Sequence, residues 1–520
     1  MDYMFRFIER IYIMYSRFPA VIASFCPKNP ISTPLPSQHK QRKPNESFSR
    51  KFLNPKSHVL AGFVQLINQK YPVWTDKIIF YTMLAATKML NITSYGCSIV
   101  TDILRTFTAP KNLIRKMKKL ILMATALLPM LANAQDDLIR KIENNKSYTI
   151  APKSDAPAKS DDKTKYHFNT LIDLDHTNVK NQASSGTCWS YSTNSFLESE
   201  MIRMGKQPIE LSPIFSAHCM FMDKADAYVR MHGGLSWGDG GECHDVINMY
   251  AKYGAMPQEV YTGLNYGTTK NKFAEMDAML KGMLQGVVSN PNGKLTPSWK
   301  KAYDAVLDAY LGAIPEKFKY DGKTYTPKSF AAERVGIHPE DYVEIGSFTT
   351  DPYYKKTMFM VPDNWAMQRV YNVELNDLTD IIDNALNKGF TVAWAADVSE
   401  KSFSWKNGVA FIPEKNYDDM DDSEKKYMFD GPKDERVISP EMRQAAFDNY
   451  ETTDDHGMHI VGLAEDQNGK KYYIVKNSWG DKNDYKGYIY VSKAYVSYKT
   501  TAILLHKNGV PNRLREKMDL

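Results

Sequence analysis

A small, polar loop that runs directly into a helix pattern is the feature that most constrains this chain. Residues 181–187 form the loop, and Trp189, Phe196 and Leu197 follow at spacings typical of an amphipathic helix. A helix is therefore predicted to begin near Cys188. Unpaired backbone N–H groups and the positive end of the macrodipole at such a helix start favour a thiolate over a thiol. Cys188 is thus expected to be a nucleophile rather than a core thiol.

Gln182 supplies the second expected element of this loop. It precedes Cys188 by six residues, so its side chain is placed to fold back beside the sulfur. A carboxamide N–H at that position, together with the backbone N–H of the nucleophile, forms an oxyanion hole. The loop therefore predicts covalent catalysis by Cys188, with Gln182 stabilising the negatively charged intermediate.

A histidine-led strand and a hairpin provide the second half of the predicted site. His459 opens an apolar run, residues 466–469 predict a hairpin turn, and Asn477 ends the returning strand. A hairpin places the start of one strand near the end of the next, so His459 and Asn477 are expected to face each other. Asn477 would then hold the imidazole tautomer of His459, and Trp479 would screen that bond from water.

Other histidines and cysteines are not expected to bind metal. His456 lies three residues before His459, and on a strand this spacing points the two side chains to opposite faces. The histidine–cysteine pairs at 218–219 and 243–244 lack the spacing of common zinc sites. Both cysteines are interpreted as core thiols, with a disulfide between them as the open alternative. No metal and no organic cofactor are expected.

Together these segments resemble the papain-like cysteine peptidases, in particular their bleomycin hydrolase and aminopeptidase C branch. The resemblance is carried by Q-x-x-S-G-T-C-W-S at 182–190, H-I-V-G at 459–462 and V-K-N-S-W-G at 475–480. Cys188 and His459 are 271 residues apart, whereas papain-like enzymes separate these residues by roughly 130–150. An insertion of more than a hundred residues is therefore expected between the two halves of the site.

The resemblance implies a fold and a set of site residues. The fold is α+β: a papain-like two-lobed fold with a helical left lobe, an antiparallel β-barrel-like right lobe and a large, mainly helical insertion. The implied catalytic residues are Cys188, His459, Asn477 and Gln182. The implied substrate contacts are Gly240, Gly241 and Trp479.

The implied reaction is the hydrolysis of peptide bonds, most simply the trimming of peptide N-termini. In this branch the C-terminal tail lies in the cleft, and its carboxylate meets the substrate amine. The short, basic tail at 506–520 departs from that pattern. An endopeptidase and an inactive, peptide-binding homologue stay open as alternatives. Members of the branch often form hexameric rings, so a homo-oligomer is an open expectation.

The N-terminal region carries an export signal. Residues 117–134 combine a methionine, two lysines, an apolar core and an A-x-A site, which is the pattern of a secretory signal peptide. Met117 is therefore the expected initiator, and residues 1–116 are interpreted as upstream sequence from a wrongly chosen start codon. The mature chain is expected in the periplasm or outside the cell, with no stable membrane anchor.

Charge and composition divide the chain further. Residues 1–116 contain 17 Lys+Arg and 5 Asp+Glu, whereas residues 135–520 contain 47 and 55. The larger part is thus acidic, which argues against a nucleic-acid partner despite the overall charge of +6. The expected regions are a leader at 135–166, a helical lobe with the cysteine at 167–265, an inserted region at 266–370, a β-rich lobe with the histidine at 371–505 and the tail at 506–520.

Overall fold

The computed structural model describes residues 165–290 and 293–520. The predicted upstream extension, the signal peptide and nearly all of the leader lie outside the described residues. Within the described part, no helix combines the length and apolar character that a membrane crossing requires.

Five helices dominate the first half of the described residues. They are α1 (Cys188–Arg203), α2 (Pro213–Arg230), α3 (Cys243–Tyr253), α4 (Ala274–Val288) and α5 (Ser298–Leu311). Phe196, Phe221 and Tyr303 belong to the apolar core that these helices share. The helical lobe of the predicted fold is therefore present and contains the Cys188 helix.

Helix α1 begins at Cys188, as the sequence predicts, but it is not amphipathic. Its buried residues include polar ones on several sides, and each must find a hydrogen-bond partner inside the protein. The Ser190 hydroxyl donates to the Pro213 carbonyl at 2.7 Å, and the Glu198 carboxylate accepts the backbone N–H of Leu211 at 2.7 Å. The helix is therefore a central element of the fold, fixed on all sides by neighbouring segments.

The described residues contain thirteen strands, numbered along the chain. They are β1 (Phe168–Asp173), β2 (Phe318–Tyr320), β3 (Lys323–Tyr325), β4 (Tyr342–Gly346), β5 (Lys356–Met358), β6 (Arg369–Asn372), β7 (Val392–Ala396), β8 (Phe403–Ser404), β9 (Val409–Ala410), β10 (His456–Asp466), β11 (Lys471–Lys476), β12 (Tyr488–Ser492) and β13 (Thr500–His506). Eleven of them form one sheet in the order β5-β6-β4-β13-β7-β10-β11-β12-β9-β8, with β1 also paired to β10. Strands β2 and β3 form a separate hairpin.

The predicted hairpin between β10 and β11 is present, and its register positions the site. The two strands are antiparallel, with His459 opposite Lys476. On its other side β10 pairs with β7, whose residues are all buried. Strand β10 is thus enclosed between two neighbours, and its N-terminal end reaches helix α1.

Six further α-helices lie in the described part. They are α6 (Pro327–Phe330), α7 (Leu375–Asn387), α8 (Asp422–Lys426), α9 (Pro440–Asp448), α10 (Lys493–Lys499) and α11 (Asn512–Met518). Ile381 of α7 packs with Trp394 and Tyr473 of the sheet in a second apolar core. The architecture is therefore α+β, with a helical part and a sheet-based part that each have their own core.

The expected inserted region, 266–370, has its two long helices, α4 and α5, in its first half, and among the α-helices of the described part only the short α6 lies in its second half. Strands β4 and β5 also fall within the region, and β6 begins at its end. Ile345 of β4 pairs with Ile503 of β13, which extends the main sheet. The predicted boundary at residue 370 is corrected accordingly: the sheet already takes up the chain from residue 342. These strands are too short for periodicity in the sequence to reveal them.

Candidate active site

Cys188 lies at the start of α1 and lines a cleft of about 460 Å³. Burial raises the pKa of its thiol to about 12, although the backbone N–H groups of Gly457 and Trp189 oppose this shift. The expectation that the helix start favours a thiolate is therefore wrong for the free site, because desolvation of the charged sulfur outweighs those dipoles. A nearby base must take the thiol proton if the sulfur is to act as a nucleophile.

The imidazole that faces Asn477 belongs to His456. Its Nε2 atom lies 2.7 Å from Asn477 Oδ1, and His456 lines the same cleft as Cys188. A Cβ atom added to Gly457 would lie only 3.0 Å from the Cα atom of Trp189. The residues that follow His456 and Cys188 are therefore in direct contact, which brings the histidine strand against the cysteine helix.

His459, the histidine predicted to be the base, lies on the other face of β10. It is fully buried, and its Nδ1 atom is 3.0 Å from Ser195 Oγ. Because His459 is opposite Lys476, Asn477 follows on the face that Met458 and His456 share. The assignment of His459 as the partner of Asn477 is therefore wrong. The predicted hairpin is correct, but its register is shifted by one residue, which places His459 on the opposite face from Asn477.

Trp479 covers the His456–Asn477 pair. The rings of Trp479 and His456 have centroids 4.6 Å apart and an interplanar angle of 31°. Trp405 and Phe403 pack edge-on against Trp479, with centroid distances of 5.6 Å and 6.2 Å. The predicted screening role of Trp479 therefore fits the structure once His456 replaces His459. Burial lowers the pKa of His456 to about 4, and the bond to Asn477 partly opposes this shift.

Gln182 lines the cleft beside Cys188, and its carboxamide is held from both ends. The Ser478 hydroxyl donates to Gln182 Oε1 at 2.6 Å, and Gln182 Nε2 donates to the Ser185 carbonyl at 2.8 Å. A carboxamide nitrogen carries two hydrogens, so one N–H is left for an oxyanion in the cleft. Ser478 follows Asn477 directly, which couples the position of Gln182 to that of the histidine's partner.

Gly240 and Gly241 form part of the cleft wall, and their neighbours leave no space for a side chain at either position. A Cβ atom at Gly240 would lie 2.0 Å from an oxygen of Asp363, and one at Gly241 would lie 3.0 Å from Trp189. The indole N–H of Trp189 donates to the Asp239 carbonyl at 3.0 Å. The loop at 238–241, called the glycine loop, is therefore packed against the first turn of α1. Its predicted role as a substrate contact stays a prediction.

A buried lysine holds this loop from beneath. Lys224 of α2 is fully buried, and its ammonium donates to the carbonyls of Gly238 at 3.0 Å and Gly240 at 2.7 Å. Burial lowers its pKa, whereas the charge of Asp363 raises it. A lysine on a helix ordinarily faces solvent, so no local pattern in the sequence predicts this contact.

The chain is similar to known cysteine peptidases. Residues 313–520 match the Peptidase C1-like family. The chain is 26% identical to an aminopeptidase C of Lactobacillus delbrueckii subsp. lactis over 394 aligned residues, which cover 67% of this chain and 83% of that protein. It is 22% identical to the mitochondrial cysteine proteinase 1 of Saccharomyces cerevisiae, with coverages of 67% and 79%. These similarities support a cysteine peptidase of the papain-like aminopeptidase C branch.

A solved structure supports the fold of this peptidase. The crystal structure of pepw from Lactobacillus rhamnosis has a TM-score of 0.54 and 19% sequence identity, and the match covers 83% of this chain and 96% of that one. At this identity the likeness concerns the fold alone. It is consistent with the papain-like α+β architecture described above.

Acidic side chains are unusually frequent in the cleft of the peptidase, and sequence reasoning did not single them out. Its lining includes Asp239, Glu242, Asp363, Asp454 and Asp455, whereas no lysine or arginine among the described residues lines it. Two of these carboxylates immediately precede His456 in the chain. That adjacency is a signal from which a carboxylate near the base could have been predicted.

Beneath the cleft, a polar network ties α1 to β11. The Lys476 ammonium donates to Thr177 Oγ1 at 3.0 Å and to Ser195 Oγ at 2.8 Å, and Ser195 also contacts His459. Burial lowers the pKa of Lys476 to about 7. His459 therefore belongs to a buried structural network of the peptidase rather than to its cleft.

The tail at 506–520 packs away from the cleft of the peptidase. Leu514 and Met518 of α11 are buried in the core beneath α7, and Arg513 contacts the carboxylates of Asp377 at 2.7 Å and Asp380 at 2.6 Å. No residue of this segment is among those that line the cleft. The arrangement implied by the resemblance, in which the tail enters the cleft, is therefore not found in residues 506–520.

The remaining cysteines of the described part are core thiols, as expected. Cys219 and Cys243 are both buried and unpaired. Burial raises the pKa of each thiol above its ordinary value. The alternative of a disulfide between them is excluded by this structure.

Proposed function

We propose that this cysteine peptidase removes residues from the N-termini of peptides, with Cys188 as nucleophile and His456 as general base and acid. The observation that carries the proposal is the presence of Cys188, Gln182 and the His456–Asn477 pair around one cleft. The relatives named aminopeptidase C favour the same specificity. Peptides are the proposed substrates, and the chemistry requires only groups of this chain.

The first half of the proposed reaction forms a thioester. His456 takes the Cys188 proton while the sulfur attacks the carbonyl carbon of the scissile bond. The resulting oxyanion accepts hydrogen bonds from Gln182 Nε2 and from the Cys188 backbone N–H, which has no acceptor within α1 because it opens the helix. His456 then gives the proton to the departing amine, and the C–N bond breaks.

The second half restores the enzyme. His456 takes a proton from water, and the hydroxide formed attacks the thioester carbonyl carbon. A second oxyanion uses the same two N–H groups. Collapse of this intermediate breaks the C–S bond, the sulfur regains its proton from His456, and the released product carries the new carboxyl group.

The direct test compares wild type and Cys188→Ala on aminoacyl coumarin amides with a free or an acetylated N-terminus. We expect turnover of the free substrates by wild type, little turnover of the acetylated ones and none by the variant. Equal rates on both substrates would identify an endopeptidase. Failure to cleave any peptide or to react with an epoxide-type thiol inhibitor would identify an inactive, peptide-binding homologue.

Export is a separate part of the proposal. The signal-peptide pattern at 117–134 supports cleavage before Gln135 and a mature enzyme in the periplasm or outside the cell. Fractionation of the native host followed by N-terminal sequencing is expected to give a chain that begins at Gln135. A mature chain that begins well before that residue, or one that stays in the cytoplasm, would contradict it.

A further inference from the structure

Two carboxyl groups in the cleft, those of Glu242 and Asp454, are paired with each other and have no cation as a partner among the described residues. Glu242 precedes α3 and is 1% exposed, and one of its oxygens accepts the backbone N–H of Asp245 in a capping box. Apart from the hydrogen bond that the two carboxyl groups make with each other, Glu242 Oε1 and Asp454 Oδ2 have no partner in residues 165–290 and 293–520.

Glu242 and Asp454 are close enough to influence each other directly. Burial raises the pKa of Glu242 well above its ordinary value, and the nearby Asp454 raises it further. Burial also raises the pKa of Asp454 to about 6. Two neighbouring carboxyl groups avoid the repulsion of two ionised groups by sharing one proton, and the negative charge that remains on the pair is stabilised by a positive group that reaches it.

The other carboxylates of the cleft have donors or a nearby cation. Asp239 accepts the backbone N–H of Gly186, and Asp455 accepts the hydroxyl of Thr453 at 2.7 Å. Asp363 lies in the field of the Lys224 ammonium, which itself points into the loop carbonyls. Glu242 and Asp454 are therefore set apart from the rest as two carboxyl groups of the cleft wall that pair with each other and with no cation of the described part of the chain.

The pair is also near the reacting sulfur. Asp454 is one of the charges that raise the pKa of the Cys188 thiol, and it lies two residues before His456. Glu242 follows Gly241, which packs on Trp189 next to the nucleophile. In a peptide whose first carbonyl carbon meets the sulfur, the α-nitrogen is separated from that carbon by a single atom.

We propose that Glu242 and Asp454 form an ammonium-binding subsite that holds the α-amino group of the peptide's first residue. The proposal rests on the aminopeptidase activity proposed above and names the residues that would confer it. An ammonium group offers three N–H donors, and charge-assisted bonds to carboxylates are the strongest hydrogen bonds available to it. The subsite would favour free N-termini over blocked ones, which lack the charge.

The test uses Asp454→Asn and Glu242→Gln, with Asp418→Asn as the matched control. Asp454→Asn removes the negative charge of the pair, whereas Glu242→Gln removes the carboxyl group that shares its proton with Asp454 and retains an oxygen that can accept the Asp245 N–H. Asp418 is exposed in a short 3-10 helix outside the cleft lining. Substrates are a free aminoacyl coumarin amide and its acetylated form. Thiol reactivity toward a neutral alkylating reagent reports whether the Cys188–His456 site is intact.

We expect the subsite variants to raise KM for the free substrate by about 10- to 100-fold, as loss of a charged hydrogen bond would. Turnover of the acetylated substrate should change by less than about threefold, alkylation of Cys188 should not be slower than in wild type because the Asp454 charge raises the thiol pKa, and Asp418→Asn should match wild type. A preference for free N-termini that is unchanged in Asp454→Asn, with normal alkylation, would overturn the proposal. If Glu242→Gln does not fold, Asp454→Asn alone decides.

A cationic side chain of the substrate is the other source of an ammonium group. N-blocked dipeptide amides that begin with lysine or leucine distinguish the two sources. Both lack a free α-amino group, and only the lysine substrate carries an ammonium group on its side chain. If the variants lose activity on the lysine substrate but keep their preference for free N-termini, the pair is a side-chain pocket and the proposal fails. If wild type cleaves blocked and free substrates equally well, the aminopeptidase function itself fails, whatever the variants show.

Discussion

The Nε2 atom of His456 lies 2.7 Å from Oδ1 of Asn477. Since a carboxamide oxygen can only accept, Nε2 carries the hydrogen in this arrangement and Nδ1 keeps its lone pair. The Nδ1 atom is therefore the one that can take the proton of Cys188. This hydrogen bond, which the Trp479 ring covers, distinguishes His456 from His459, the second histidine of β10.

The two histidines should respond differently to substitution. We expect His456→Ala to lower kcat by about 10²- to 10⁴-fold, since it removes the general base and acid. His459→Gln should retain activity within about tenfold while lowering the free energy of unfolding by about 1–3 kcal/mol, because it disturbs a buried hydrogen bond to Ser195. Steady-state kinetics and urea unfolding measure the two effects.

Alkylation of Cys188 gives a control that does not depend on substrate binding. His456→Ala should slow alkylation at neutral pH, whereas His459→Gln should not. A variant pair with the opposite pattern, in which His459→Gln abolishes turnover in a folded protein, would return the catalytic role to His459 and contradict the assignment of His456.

Much of the site could be predicted because local rules determine it. The helix start at Cys188 follows from loop composition and helical spacing, and the hairpin follows from its Asn-Gly turn. The histidine was missed because hairpin reasoning fixes which strands pair but not their register. A shift of one residue exchanges the faces, and so exchanges His456 for His459.

Tertiary contacts account for what the sequence did not reveal. The burial of Lys224 depends on loop carbonyls that are contributed by a segment more than ten residues away. The raised pKa of Cys188 depends on how deeply the helix start is covered, which no local pattern encodes. Strands β4 to β6 are three to five residues long, so they are recognisable only through the partners they find in the sheet.

Gly457 should tolerate no side chain. A Cβ atom there would lie 3.0 Å from Trp189 Cα and 3.1 Å from Trp189 N, and backbone atoms of a central helix cannot move aside cheaply. We expect Gly457→Ala to lower the free energy of unfolding by about 1–3 kcal/mol and to reduce kcat by separating the histidine strand from the cysteine helix. Thermal unfolding and kinetics measure both.

Gly282→Ala is the matched control for that substitution. Gly282 lies within α4, and nothing is within 4 Å of the position its Cβ would take. The same change should stabilise the protein there by about 0.5–1 kcal/mol, since alanine is the better helix former. If Gly457→Ala is as active and as stable as Gly282→Ala, the proposed close approach of β10 to α1 is wrong.

Replacement of Lys224 should loosen the glycine loop. Lys224→Met leaves the carbonyls of Gly238 and Gly240 without their donor inside the protein. We expect a loss of about 2–4 kcal/mol in the free energy of unfolding, since each unsatisfied buried group costs about 1–3 kcal/mol. Lys252→Met is the control, because Lys252 is exposed and its pair with Asp223 is worth less than about 1 kcal/mol. Equal losses in the two variants would show that the loop does not depend on Lys224.

The pH dependence of Cys188 alkylation should report the burial of His456. The imidazole can accept the thiol proton only while it is neutral, and burial lowers its pKa to about 4. The alkylation rate should therefore persist as the pH falls from 7 and decline only as it passes through about 4, well below the ordinary histidine pKa of about 6.5.

Asn477→Ala should move this decline to still lower pH, because the bond from His456 to Asn477 raises the pKa of the imidazole. Brief pulses of a neutral reagent, with neutralised samples assayed for recovered activity, measure the profile. Asp454→Asn serves as the control, since Asp454 has a pKa of about 6 and titrates in the same range. A decline centred near pH 6.5 in both wild type and Asp454→Asn would mean that the imidazole is solvated, and the proposed screening by Trp479 would be wrong.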